Sequence, residues 1–500
     1  MTKVFILTGL LSVTAMSWAQ TYENDAFKMM RPDLTGTARS LGAGGAFSSV
    51  GADQSAILQN PAGIALYRSH EFAISGGALW GTTSSSYLGN NIDQSFSKGM
   101  LSQAGLVFAT KDLSRTQGMS FNNPNKLSRV VVGIGFQKVA DFNRSDKIYG
   151  VNTQNSYAQA LTNNLNTNPY NINLDNFDIP SVEAYQTYVS DWTDTNYNRL
   201  SSRIPLPVTQ VGTVTTKGSL NDINLTLGFN VDNTVYLGFG LGVPYMSYSR
   251  YASFFERNGT GDSSYTSTYD YTLSGVGVNG KFGIIVKPAA WVRLGGSVQT
   301  PSYFRLNENT EGSMQSNIGA MPTLYADTGS VYRFSYSNPL NATFGASFYL
   351  KQWGFISVDY EMNDYSHTRY RFDGSDRQYS DLENLNISAK YRLASTVRAG
   401  AEFAYKTLRL RAGFAWSQSP FRSGVAVPGY DAGRYNYTAG IGYRGSRFFA
   451  DLAYVHTQYK DYYTPYSYTD ASGTQEPGVF NNFRSNMIVA TIGFKFGVNR

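Results

Sequence analysis

Ten charged residues fall on one face of segments that otherwise alternate like strands: Arg293, Asp359, Lys390, Arg392, Arg398, Glu402, Arg409, Arg411, Asp451 and Lys495. Basic residues dominate the set, and a guanidinium binds a carboxylate through two parallel hydrogen bonds. Arg398, Arg409 and Arg411 are therefore candidate ligand-binding residues for a carboxylate-bearing molecule. The same charges could instead pair with one another and with whatever lies beside them. Catalysis finds little support: His70, His367 and His456 stand far apart, with no nucleophile or metal-ligand spacing around them. No catalytic residue, metal site or cofactor is expected, haem included, since haem wants a dedicated axial ligand.

Charged residues on alternate positions require strands to carry them, and the composition supplies strand formers. The 500 residues include 37 Tyr, 30 Phe and 49 Gly, no Cys, and only 15% charged residues, a balance that favours strands and turns. A formal charge of +6 is spread without Lys/Arg clusters, which argues against a nucleic-acid partner. No Pro/Ser-rich linker divides the chain, so a single large unit is expected despite the length. At the N-terminus, Lys3, the apolar run Val4 to Val13 and the small residues of Ser17-Trp18-Ala19 read as a signal peptide over 1–19. With no cysteine to carry a lipid or form a disulfide, the exported chain is either soluble or an outer-membrane barrel.

Periodicity and connections decide for the barrel. Ile223, Leu225, Leu227, Phe229 and Val231 alternate with Asn224, Thr226, Gly228 and Asn230; after Asp232-Asn233 the pattern resumes through Val235 to Val243, a tight hairpin. Asn386 to Tyr405 is the longest example of the alternation, with Ile387 and Tyr391 on its lipid face. Fourteen strands are predicted, near 70–80, 101–110, 129–142, 221–231, 234–250, 267–287, 291–300, 331–350, 354–365, 386–405, 408–417, 436–443, 447–458 and 486–497. From the third strand onward, short turns alternate with long polar loops, the signature of an outer-membrane barrel with its long loops outside the cell. The expectation is an all-β fold: a 14-stranded antiparallel transmembrane β-barrel over 70–500, in the outer membrane of a Gram-negative bacterium, monomeric and surrounded by outer-membrane lipids.

The stretch before the first strand, "SLGAGGAFSSVGADQSAILQNPAGIAL", is too poor in bulky residues to form a core of its own. Fourteen strands enclose more space than their inward side chains fill, because barrels only slightly larger already hold a channel. Residues 20–69 are therefore expected to plug the lumen as a hatch. Gly42, Gly44 and Gly45 would let the backbone approach the wall closely, and Asn60 and Pro61 would fix a turn before the first strand. A periplasmic leader or a helix beneath the barrel is the alternative.

In "GTARSLGAGGAFSSVGADQSAILQNPAGIAL", Gly44-Gly45-Ala46, Asp53 and Asn60-Pro61-Ala62 occur in the order that marks the N-terminal hatch of the FadL family. The stretch resembles that family of outer-membrane transporters for long-chain fatty acids and aromatic hydrocarbons. "GVGVNGKFGIIVKPAAWVRLGGSVQTPSYF" and "LRLRAGFAWSQSP" fit less specifically, and the last strand departs from the pattern in that its terminal aromatic, Phe496, stands four residues early. The resemblance implies a hatch-gated channel taking up hydrophobic small molecules, such as fatty acids, by passive diffusion, with Gly42, Gly44, Gly45, Asp53, Asn60, Pro61 and Ala62 as gate residues. A FadL-like barrel serving a protein secretion system as a structural or cargo-shuttle component is the alternative. Within the largest loop, Asn143 to Leu220, the spacing of Val182, Tyr185, Val189 and Trp192 predicts a helix, either a lid over the barrel mouth or one wall of a capture groove. Pro244 interrupts the fifth strand and could mark a bulge or side opening.

Overall fold

The computed structural model describes residues 29, 31–110, 127–167, 177–192, 199–374, 377–470 and 473–497. The expected signal peptide, and most of the chain before Arg31, lie outside them. Period-two sequences fold into a single antiparallel sheet of fourteen strands. In chain order these are β1 (His70–Tyr87), β2 (Asn90–Ala109), β3 (Leu127–Asp141, resuming as Arg144–Asn152), β4 (Val208–Val231), β5 (Val235–Asn258), β6 (Ser263–Ala289) and β7 (Val292–Gln299, resuming as Tyr303–Ile318). They continue with β8 (Leu324–Ser337, resuming as Asn341–Tyr349), β9 (Gly354–Asp364, resuming as Arg369–Phe372), β10 (Leu393–Tyr405), β11 (Leu408–Ser417), β12 (Arg434–Arg444), β13 (Phe448–Tyr463) and β14 (Val479–Phe496). Pairing of β1 with both β2 and β14 closes the barrel.

Outward positions carry an exposed apolar band, with Ile223, Leu225 and Leu227 on β4 and Phe239 and Leu241 on β5. Aromatic pairs line its edge at the short-turn end: Trp291 with Phe348, Trp353 with Phe403 and Phe448 with Phe494. A closed barrel with an apolar outer band and an aromatic girdle is the architecture of an outer-membrane protein. The tight turns are built as their residues require. Asp232 and Asn233 both have positive φ, 52° and 53°, the geometry of a two-residue hairpin whose twist matches the strands.

All fourteen predicted strands are present, several running well beyond the expected bounds, as over Asn90–Ala109 and Tyr303–Ile318, and particular elements differ in kind. Asn386–Lys390 is not strand but the end of a helix, Arg377–Lys390. Ile387 and Tyr391, read as lipid-facing, are fully buried under the loops at the barrel mouth, because an apolar pair four apart satisfies a helix as well as a strand. The two ends of the loop from Asn143 to Leu220 are wall, since β3 resumes over Arg144–Asn152 and pairs with β4 from Val208 onward. The spacing from Val182 to Trp192 yields a helix only over Ile179–Gln186; Ser190–Trp192 is a short strand. At Pro244, β5 keeps its register with β4 while its pairing with β6 lapses between Gly242 and Tyr245, as expected where the ring removes a donor.

Candidate functional site

Small residues before the first strand let this segment pack backbone against wall. Helix α1 (Ala38–Gly42) begins at Thr37, whose side chain accepts from Ser40 N, a standard N-cap. Beyond it Gly44 and Gly45 take φ of +67° and +72°, a conformation costly for other residues, and turn the chain along the inner surface of β10–β12. The approach is very close: a Cβ on Gly400 would stand 2.0 Å from Ala43 O, one on Gly413 would stand 2.1 Å from Gly44 N, and Gly42 meets Gly440 Cα. Thr438 Oγ1 holds the contact, accepting from Gly44 N at 3.0 Å and donating to Gly42 O at 3.2 Å.

A second seat lies across the bore. Helix α2 (Ala56–Gln59) leads into Asn60 and a 3₁₀ turn over Pro61–Leu66 with Pro61 at its start, where a missing N–H costs nothing. Asn60 donates to Ser48 O at 2.7 Å and to Ile284 O of β6 at 3.3 Å, and accepts from Ala62 N at 3.1 Å. Here too the wall is glycine: a Cβ on Gly238 would lie 2.1 Å from Ala62 N, and one on Gly283 would lie 2.0 Å from Asn60 Oδ1. Between the seats, Ser48 bonds Asp359 of β9 through both its amide and hydroxyl. Buried Asp53 ties the two halves of the segment, accepting from Thr37 Oγ1 at 2.7 Å and Ser55 N at 3.0 Å. Alternation placed these wall glycines on the inward face, but as merely small residues. Their role shows only when the segment they seat is known.

The three candidate arginines have different surroundings. Arg411 is fully buried and bonds Glu402 at 2.7 Å and Asp451 at 2.7 Å; Arg444 reaches the other oxygen of Asp451 at 2.9 Å. Arg39 of α1 joins the chain at 3.4 Å from Glu402, so a ladder of alternating charge connects the N-terminal segment to the wall. Arg409, near the turn end, donates to Lys406 O and Leu408 O and stands 3.9 Å from Glu402. Arg398 pairs with Glu361 at 2.5 Å and, unlike the other two, lines a cavity. Lys390 belongs to the loop helix and not to the wall. The three histidines are dispersed: His70 packs on Phe108 and Phe496, His367 meets Asp364 at 2.9 Å, and His456 meets Asn486 at 2.9 Å.

The cavity, of about 130 Å³, lies between the N-terminal segment and β3–β10, and its boundary includes Leu34, Leu58, Pro61, Lys281, Asp359 and Arg398. Lys281 is buried and paired with Asp222 at 2.8 Å. Toward the loop end the lining turns aromatic. Phe304, at the cavity edge, stacks toward Tyr336, Tyr370 and Phe334 at ring separations of 5.3–5.9 Å, within one apolar cluster that fills the mouth. Loop helix α3 (Tyr157–Leu165) seals part of it: the Glu256 carboxylate of β5 accepts from Tyr157 N at 2.7 Å and Ala158 N at 3.0 Å, an anion on the donors of a helix start. Loop helix α4 (Ile179–Gln186) lies against β7.

No protein-family model and no curated protein sequence matches the chain. Its structure matches solved barrels over nearly the whole length. A Pseudomonas aeruginosa FadL homologue superposes at TM-score 0.56 with 14% identity, over 93% of this chain and 99% of that one. The P. putida toluene transporter TodX superposes at TM-score 0.51 with 13% identity, again over 93% and 99%. Strand count, closure and whole-length superposition agree, and the chain has the fold of the FadL-type outer-membrane channels.

Proposed function

We propose that this protein is an outer-membrane channel for uptake of hydrophobic small molecules, most closely long-chain fatty acids or similar lipids, by passive diffusion through a barrel gated by residues 20–69. The observation that carries the reading is the layering of the bore: an aromatic interior at the loop end, a cavity at mid height, and beneath it a segment seated on wall glycines. An apolar solute entering from outside meets rings first. Its further passage requires the segment to shift, which separates the glycine seats together with the apolar contacts that Leu41, Phe47, Ile57 and Ile64 make with the wall. In this reading Arg398 meets a carboxylate, whereas Arg411 supports Glu402, the wall partner of the gate's Arg39. Gly42, Gly44, Gly45, Asp53, Asn60, Pro61 and Ala62 serve as the gate's joints. A sheet closed on itself needs no partner strand, which supports a monomer.

The test is uptake of labelled oleate and labelled toluene by a Gram-negative host lacking its own fatty-acid channel. Expression of this chain is expected to restore oleate uptake. Absence of uptake of both solutes, with the barrel assembled in the outer membrane, would refute the reading.

A further inference from the structure

The outer surface carries a second feature, where the wall itself is interrupted. Strands β7, β8 and β9 all break at one level, at Thr300-Pro301-Ser302, at Asn338-Pro339-Leu340 and at the turn Tyr365–His367. The two prolines cannot donate to the ladder, and the sheet creases. The crease opens on the outside of the barrel as a pocket of about 1090 Å³. Its lower part continues the apolar band: Val278, Leu340 and Leu393 are each about half exposed, between 48% and 54%, with Met362 beside them.

Just above the crease the outward positions become cationic. Registers place Arg305 and Arg371 on either side of Ser335, and Tyr303 and Arg369 on either side of Ser337. Arg305 and Arg371 are thus two strand spacings apart, roughly 10 Å, and reach one group from both sides. Acidic neighbours leave them available: Arg305 lies 3.8 Å from Asp373 with both side chains largely exposed, and Asp364 is engaged by His367 and Ser366. Among the described residues, Arg369 and Arg371 form no ion pair.

An isolated arginine on a lipid-facing wall is costly. Two of them at one height with Arg369 two residues below, at the top of an apolar trough, make chemical sense against a ligand with acyl chains below and phosphate above. We infer that this crease binds a phosphorylated, multiply acylated glycolipid of the outer leaflet, of the lipid A class. The acyl chains lie in the trough over Val278, Leu340 and Met362, and Arg305, Arg369 and Arg371 take the phosphate, for which the planar guanidinium is suited. The inference rests on the long loops facing outward but not on the luminal route.

Native mass spectrometry of the purified full-length barrel, mixed with bisphosphorylated lipid A or its dephosphorylated form, tests it. Wild type is expected to retain the phosphorylated lipid in preference, and the triple variant Arg305→Gln, Arg369→Gln, Arg371→Gln to lose at least about tenfold of that retention. Ser335→Asp, which sets a carboxylate between Arg305 and Arg371, should lower retention in the same direction with a different perturbation of the wall. Equal retention of the two lipid forms, or undiminished retention by a folded Ser335→Asp barrel, would overturn the proposal. So would full displacement of the lipid by inorganic phosphate, which would mark a simple anion site.

Discussion

At the scale of single residues the wall glycines and Arg398 separate two roles. A side chain on Gly413 or Gly400 would strike backbone atoms of Ala43 and Gly44 about 2 Å away, and backbone on both sides leaves nothing flexible to yield. Overpacking of this kind costs about 1–3 kcal/mol, and the segment can escape it by leaving its seat, whereas the ladder of β11 cannot. Gly413→Val is therefore expected to give a heat-modifiable, assembled barrel whose single-channel conductance in planar bilayers exceeds that of wild type. Unchanged conductance would show that the seat does not block the bore. Arg398→Gln should act on the ligand instead. It removes a charge-assisted partner worth about 1.5–3 kcal/mol, so binding of a fatty acid should weaken while that of its methyl ester holds. Isothermal titration with both ligands checks this, and parallel loss of the two would assign Arg398 to structure through its pair with Glu361.

Among the elements, helix α4 carries a titratable anchor. Glu183 is fully buried with no hydrogen-bond partner for either carboxylate oxygen, against Gly312 of β7. Burial, with Asp178 and Asp327 nearby, pushes its pKa up to about 8. An undocked carboxyl titrates near about 4.3, so the docked state is favoured below that pH and loses this stabilisation as pH rises to about 8. The protection factors of amides over 177–192, exchange rates corrected for their intrinsic pH dependence, are expected to fall between pH 5 and pH 8.5, and Glu183→Gln should remove that fall. The same helix shows where the sequence is legible. Ile223 to Val243 could be read residue by residue because one face must be apolar in lipid. Above the membrane that demand ends: the upper half of β4 reads Thr213, Val214, Thr215, Thr216, Lys217, where no alternation of apolar residues marks a strand. Ile387 and Tyr391 misled for a related reason, since two apolar residues without their long-range partners fit either period. The glycine seats were half legible, visible from the side of the segment in Gly42, Gly44 and Gly45, but not from the wall.

For the molecule as a whole, the question is whether barrel and N-terminal segment are separable. Barrel closure rests on ladders that run around the full circumference, with β1 paired to β14 over seventeen register positions from His70 to Ser86. None of those hydrogen bonds involves residues before the first strand. The segment, by contrast, is held by the two glycine seats, the Asn60 bonds, the Ser48–Asp359 contact and the Arg39–Glu402 end of the charge ladder. Deleting Asp33 to Val50 removes the α1 seat, Ser48 and Arg39 together, while Asn60-Pro61-Ala62 stays to deliver the chain into β1. The wall then keeps its ladders, and Arg411 keeps both Glu402 and Asp451, while Asp359 exchanges its two Ser48 bonds for water in the opened bore. The deletion variant is expected to migrate as a folded, heat-modifiable barrel, to conduct ions more readily than wild type, and to lose the preference for apolar solutes that a seated gate imposes. Conductance and solute preference both equal to wild type would mean that this stretch does not gate the bore, and the transport route would have to be sought elsewhere in the wall.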